Sequence, residues 1–507
     1  MKMLGREWLA RAFAWIIACV ALFNTLFFVL RTANPVIRSD DWYSLDVFVR
    51  KAMEGSLGFA DFFTRRYVDD HAQPLLKLVQ LIEWRWFDLD YSIGAIVGVI
   101  AAAVCALILY RVVTTADEGN PVDAHRFVAW VTLTAVLLSL NSADIWAWPL
   151  VALGYVTLVP VLLFMWVVWH AWRSHRYLLL VAGTLVLCVV ADDVALITVV
   201  STVVALLFLA WRGPAQPRHS IGKMIAVMVV CTVLVRVAYA FAPLLDGTPA
   251  ASLATRLAAL YGDLRKGDGW QWVSVPFSLS VASTNPFEQL PAQAWDIVQM
   301  LLATCLLVAH GAFWWRALHG RHNLPTFMAM CLMLFAYGLL AGIILVRVSL
   351  FGSSYLGEDR YVEFYQFNLV ALLLMWAGTR MLAPSTPAWR RWVTLRIPML
   401  GCTALLLLQI PLTHAAWQQR RYGLPYYARM ATQVAQLAGD ATQTKDCLPE
   451  LVVCHWPLAR RRAVLLLLSQ HRLNVLSPKV QARHVFLPRV NGPLESPASA
   501  AASEVVP

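Results

Sequence analysis

Charge is scarce in this chain. Only 14% of its 507 residues are Asp, Glu, Lys or Arg, well below the quarter or so that a soluble globular chain carries. A water-facing surface needs more, which excludes a soluble fold. With 59% hydrophobic residues and a mean hydropathy of +0.61, the class is an all-α polytopic membrane protein. An internal sequence repeat is absent, and with it the paired halves from which many transporters are built. Nucleic-acid motifs are absent too. The formal charge of +11, from 41 basic and 30 acidic residues, therefore reflects topology and headgroup contacts, and no nucleic-acid partner is expected.

Cysteine is sparse outside the apolar runs. Cys19, Cys105, Cys188, Cys231, Cys305, Cys331 and Cys402 lie within such runs, where the thiol behaves as a small hydrophobe. Cys447 and Cys454, in CLPELVVC, lie in polar sequence, and no second pair completes a zinc set. Whether these two join is left open by the sequence; a disulfide requires that the segment face an oxidising compartment.

The apolar sequence falls into runs long enough to cross a bilayer. Lys2, Arg6 and Arg11 lead into the first, at 8–30, which reads as an uncleaved signal anchor with a cytoplasmic N-terminus. Ten more follow at 91–112, 126–141, 147–170, 177–191, 194–211, 224–245, 295–315, 324–346, 362–383 and 397–413, about 11 spans in all. The connections on one side carry Arg111 and Arg126, Arg173 and Arg176, Arg212, Arg218 and Lys223, Arg316 and Arg321, then Arg380, Arg390, Arg391 and Arg396. The short turns on the other side, near Asn141 and Asp192, carry none. The basic side is cytoplasmic, so the C-terminal region at 414–490 lies outside. A Pro/Ala/Ser-rich tail at 491–507 is expected to be disordered.

Two long outer loops interrupt this pattern, at 31–90 and 246–294. The first carries two helical patterns, in SLDVFVRKAMEG and QPLLKLVQLIEWRWF, expected to lie along the membrane surface. In the second pattern Leu75, Val79, Ile82 and Trp86 form the apolar face, with Gln73, Lys77 and Gln80 opposite. Acidic pairs then gather on the outer side: Asp40-Asp41, Asp69-Asp70, Asp192-Asp193 and Glu358-Asp359, with Asp144 beside them. Charges at the bilayer boundary are costly, and a set of them on one side marks a site.

This arrangement resembles the GT-C superfamily of integral-membrane glycosyltransferases. The resemblance rests on Asp40-Asp41 in SDDW soon after the first span, on Asp69-Asp70-His71, on Arg360-Tyr361 in GEDRY, and on two surface helices and a small outer C-terminal region. It covers the architecture of most of the chain; the motifs are short, and the WY after the acidic pair fits no one subfamily.

The resemblance implies transfer of a sugar from a polyprenyl-phosphate carrier to a cell-envelope glycan or lipid, with inversion, at the periplasmic face of the bacterial inner membrane. One of Asp40 and Asp41 takes the acceptor proton. Arg360, with Arg347, Tyr361 and Lys77 and, behind them, Arg65 and Arg66, meets the leaving lipid phosphate. Asp69, Asp70, His71, Trp42, Asp192, Asp193, Glu358 and Asp359 support the site or bind the acceptor. A divalent metal held by His71 with Asp69 and Asp70 is left open. So are three other readings: a transporter or flippase of a lipid-linked glycan, for which Arg236 in VLVRVAYAF speaks, a glycan polymerase, and a non-catalytic scaffold.

Overall fold

Backbone amides in hydrocarbon find no water, so a chain that enters a bilayer must satisfy them within its own helices. The computed structural model describes residues 2–66, 71–115, 123–212, 215–245, 251–286, 290–320, 322–379 and 387–489. Among them no strand forms; the only extended pairing is an isolated bridge between Arg65 and Leu244. Eight helices are long and apolar enough to cross a membrane: Trp8–Thr32, Ser92–Thr114, Pro149–Ser174, Asp192–Trp211, His219–Ala240, Ala292–His319, Leu324–Phe351 and Trp392–Gly439. Ala124–Leu137 and Tyr177–Val190 are apolar but shorter, 14 residues or about 21 Å each. The chain is thus a multi-pass helical membrane protein.

Among the described residues two large apolar cores and a small cluster of Leu76, Val79 and Leu153 hold it together. The larger joins the apolar helices. One close contact in it depends on a missing side chain: a Cβ on Gly98 would lie 2.5 Å from the Ala152 carbonyl oxygen, so glycine lets helix Ser92–Thr114 approach the short helix Pro149–Ala152.

The smaller core is built from both ends of the chain. Val36, Ile37, Trp42, Leu45, Phe48, Val49, Leu89 and Tyr91 from the first outer segment pack with Met430, Val434, Leu451, Val464, Leu468 and Val480 from the C-terminal region. Asn474, fully buried, ties the seam: its side-chain amide donates to the Pro35 and Leu89 carbonyls, and its backbone N–H to the Asp88 carbonyl at 2.7 Å. Asp90, also fully buried, is gripped by Arg483 at 2.8 Å and His484 at 3.0 Å. Asp46 receives Arg460 at 2.7 Å. The two segments therefore form one cap. The boundary expected at residue 413 falls inside one continuous helix, Ile397–Gly439, whose 43 residues run about 64 Å from the apolar bundle into that cap. Residues 490–507, where a disordered tail was expected, lie outside the described residues.

Both helical patterns of the first outer segment are present, as a helical run over 41–53 and the helix Pro74–Phe87. The sequence did not say which face of the second the protein buries. Leu76, Val79, Gln80 and Glu83 face inward, while Leu78 and Trp86 are exposed. Gln80 and Glu83 are thus buried beside Leu76 and Val79, while Gln73 stays exposed and Leu81 and Trp84 pack against the cap core. Leu78, Leu81, Ile82, Trp84 and Trp86 line a groove of about 420 Å³ with Leu57.

Candidate functional site

The site begins where the first helix ends. Past Thr32 the chain turns through Asn34, whose side-chain oxygen accepts from the Val36 N–H at 2.9 Å and whose backbone N–H reaches the Ala147 carbonyl at 3.0 Å. Ser39 then adopts φ +50, a left-handed conformation rare outside glycine, and is held there by donating its N–H to the Glu450 carbonyl at 2.7 Å. This turn sends two adjacent carboxylates in different directions. Asp40 points out, its side chain 53% exposed and paired with Arg66 at 2.8 Å. Asp41 points in and is 2% exposed.

Burial dominates the chemistry of Asp41. It pushes the carboxyl from 3.8 up to about 8, aided by the negative charge of Asp40 and opposed by the charge and the backbone N–H of Arg38. Glu83 is driven well above the usual carboxyl range, first by burial and then by the charges of Asp41 and Asp90. The Gly94 backbone N–H faces the Glu83 carboxyl and opposes this rise, though no well-formed side-chain hydrogen bond reaches either oxygen, and a Cβ on Gly94 would meet one of them at 2.7 Å. The Tyr91 hydroxyl, raised by burial and by these two acids, is unpartnered. Asp90 differs: burial pushes it up, but hydrogen bonds from His484 and Ser92 and the nearby positive charge bring it below the usual range. It is a structural anion, whereas Asp41 is poised to exchange a proton near neutral pH.

Arg38 lies beside Asp41, its guanidinium 4.0 Å from the Trp148 ring. Trp148 sits in an extended break between helices Ala143–Ala147 and Pro149–Ala152, which presents its ring to the site. Tyr426 bonds Glu450, and both Tyr426 and Tyr427 lie within electrostatic reach of Arg38. Asp144 extends the acidic set toward Asp359, whose carboxyl is raised to about 6 by burial, Asp144 and Glu358.

Arg360 belongs to an aromatic corner of its own segment. It donates to the Tyr355 hydroxyl, lies over the Tyr355 and Tyr361 rings at 5.2 and 5.4 Å, and has Glu358 at 3.9 Å. Arg347, half-buried, acts electrostatically on Tyr361. Lys77 serves the structure, because its ammonium donates to the carbonyls of Asp61, Phe62 and Thr64 at 2.7 to 3.1 Å and so closes the turn Phe59–Phe63. Trp42 is wholly buried in the cap core.

A second cluster forms where the first outer segment meets the helix Asp192–Arg212. His71 lies 3.1 Å from Asp193, Ala72 donates its N–H to Asp192 at 2.6 Å, and Arg236 pairs with Asp193 at 2.7 Å. His71, Asp192 and Asp193 bring one ligand atom each within 4.8 Å, close enough to share a cation, with Arg236 as the charge already in place. His71 thus faces Asp192-Asp193; Asp69 and Asp70 lie outside the described residues. Arg236, the residue that favoured a transporter, is answered by this acidic pair.

Cys447 and Cys454 are joined in a disulfide, which closes the loop that carries Glu450 to Ser39. Sequence reasoning missed Arg38, Glu83, Trp148 and Glu450. Two left a signal: Arg38 stands two residues before the acidic pair, and Glu83 continues the polar stripe of Gln73, Lys77 and Gln80. No protein-family model, no curated protein and no solved structure matches the chain.

Proposed function

We propose that this chain is an inverting membrane glycosyltransferase, which moves a sugar from a polyprenyl-phosphate carrier to a hydroxyl of a cell-envelope glycan or lipid. Asp41 carries the reading: a buried carboxyl raised to about 8, under an outer cap and next to a cation, suits a general base working near neutral pH. In the reaction the acceptor oxygen attacks the anomeric carbon, its proton passes to Asp41, and the bond from that carbon to the phosphate oxygen breaks. The lipid phosphate leaves with its electron pair and its added negative charge.

The threading that accompanies this reading has 11 spans: the eight long helices together with Ala124–Leu137, Tyr177–Val190 and Val362–Ala377. It leaves the N-terminus in the cytoplasm and the cap in the periplasm of a bacterial inner membrane. The disulfide supports this side for the cap, since such bonds persist in oxidising compartments.

The test is transfer of radiolabelled sugar from a panel of polyprenyl-phosphate sugars into envelope material. Membranes with wild type, Asp40→Asn or Asp41→Asn are compared at equal protein levels. Asp41→Asn is expected to lose about 10²- to 10⁴-fold, the usual worth of a general base, and Asp40→Asn far less. Equal activity of all three sinks the assignment of Asp41. If no donor serves the wild type, the flippase reading replaces this one; in its favour stands Glu363, 1% exposed, neither of whose carboxyl oxygens has a partner.

A further inference from the structure

Four arginines are buried in the described residues: Arg38, Arg126, Arg256 and Arg461. Three of them spend their donors on backbone carbonyls. Arg126 reaches Val113 and Thr115, Arg256 reaches Ala251, and Arg461 reaches Ala441, Val453, Cys454 and Trp456. Arg38 is different. Its Nε is buried without a partner, as is that of Arg126, but among the described residues neither a side-chain hydrogen bond nor an ion pair reaches any part of its guanidinium. Its contact is the face of Trp148, whose own indole N–H is buried and unpartnered.

Stacking explains the orientation but not the cost. A guanidinium lying on an indole keeps the N–H donors along its edge free, and at Arg38 the Nε–H is buried without a partner while the two Nη groups stay accessible to a ligand. A buried charge without a partner is strongly destabilising, so such a group is normally answered by an oxyanion. Asp41 is near enough for Arg38 to lower its pKa, yet the two form no ion pair, and the Asp41 carboxyl remains raised. The fork of Arg38 is therefore left for a group from outside the chain. Arg360, by contrast, already donates to Tyr355 and lies near Glu358.

We propose that Arg38, stacked on Trp148, is the residue that grips the phosphate of the isoprenyl carrier, with the Trp148 indole N–H as a further donor. This rests on the transferase reading and changes its anatomy. The leaving-group cation comes from the same turn as the base, three residues away, rather than from the late outer Arg-Tyr. A fork-shaped donor matches two phosphate oxygens at once, which lysine cannot do. Loss of the phosphate from a ligand should therefore matter as much as loss of the arginine.

Binding of radiolabelled farnesyl phosphate to the purified full chain in phosphatidylcholine nanodiscs tests this without any transfer step. Hydrogen bonds to a charged group set the scale: Arg38→Ala is expected to weaken binding at least about 30-fold and Arg38→Lys about tenfold. Lys266→Ala, altering an exposed side chain, should bind as wild type. Arg38→Lys keeps a positive charge and most of the bulk, and its melting temperature is checked against wild type so that misfolding cannot mimic the loss. Farnesol, inorganic phosphate and phosphatidylglycerol compete in separate arms and are all expected to compete poorly.

The proposal is overturned if Arg38→Lys binds as tightly as wild type, if farnesol competes as well as farnesyl phosphate, or if the wild type binds no probe. Inorganic phosphate competing as well as farnesyl phosphate would assign the site to free phosphate instead, and phosphatidylglycerol doing so would assign it to a bilayer headgroup. A protein that binds the probe through Arg38 but transfers no sugar would keep this inference and lose the transferase reading. One that transfers sugar and binds independently of Arg38 would do the reverse.

Discussion

Replacing Asp41 with asparagine tests the electrostatics of the site through stability, apart from any reaction. The carboxyl titrates at about 8 in the folded chain against 3.8 for the ordinary group. The folded state therefore holds a proton that the unfolded state has released, and wild-type stability falls as pH rises from about 4 to about 8. Between pH 5 and pH 8 that is three pH units at about 1.4 kcal/mol each, or about 4 kcal/mol. Asparagine resembles the protonated acid in shape, keeps an oxygen to accept the Arg38 backbone N–H, and does not titrate. Melting temperatures of wild type and Asp41→Asn, measured in nanodiscs from pH 5 to pH 8, should diverge by several degrees, with the wild type falling more steeply than the variant, in which Glu83 and Asp359 remain raised. Parallel curves would refute the reasoning, because they would mean that Asp41 ionises as an ordinary surface acid.

Four further outcomes follow from the geometry. The logarithm of the transfer rate should rise with pH to about 8 and then level, and Asp40→Asn, which removes a charge that raises Asp41, should move the break to lower pH; a flat profile from pH 6 to 9 contradicts this. Gly94→Ala places a methyl 2.7 Å from a Glu83 oxygen and should cost about 1–3 kcal/mol of thermal stability. Asp90→Asn leaves Arg483 and His484 without their anion and should cost about 3 kcal/mol, the low end for a broken buried pair because Arg483 is partly exposed; since the Asp90 carboxyl is held low, the wild type should lose this contribution only in acid. Cys447 and Cys454 should resist maleimide labelling of the denatured protein until it is reduced, and changing both to serine should cost about 2 kcal/mol, as expected for so short a loop.

The apolar helices were legible because hydrocarbon leaves a chain few options: runs of about 20 uncharged residues leave little else to infer. The turn at Asp40-Asp41 stood out as a candidate for the converse reason, two costly charges beside a span. Which of the two faces inward was not, because that depends on the left-handed Ser39 and on Glu450, more than 400 residues away. Periodicity located the helix Pro74–Phe87 but not which of its sides the protein buries. An amphipathic pattern reports two faces and not which one meets polar surroundings, and here Gln80 and Glu83 turn toward the acids. Arg38 reads in sequence like any loop arginine; what separates it from Arg461 is the absence of partners, which only three dimensions reveal. The seam at Asn474 left no local trace, since it unites segments far apart in the chain.

The cap has a consequence for synthesis. Ile37 and its partner Asn474 are 437 positions apart, and Asp90 waits for Arg483 and His484. At about 5–20 residues per second, the segment between the first two long helices waits some tens of seconds before the residues that shape it are made. Through that interval the turn bearing Asp41 lacks the Glu450 carbonyl that fixes Ser39, and Phe48 and Trp42 lack the C-terminal side of their core. Assembly of the cap is thus timed by the ribosome: the turn bearing Asp41 takes its final shape only after the last helical turns of the chain have been made.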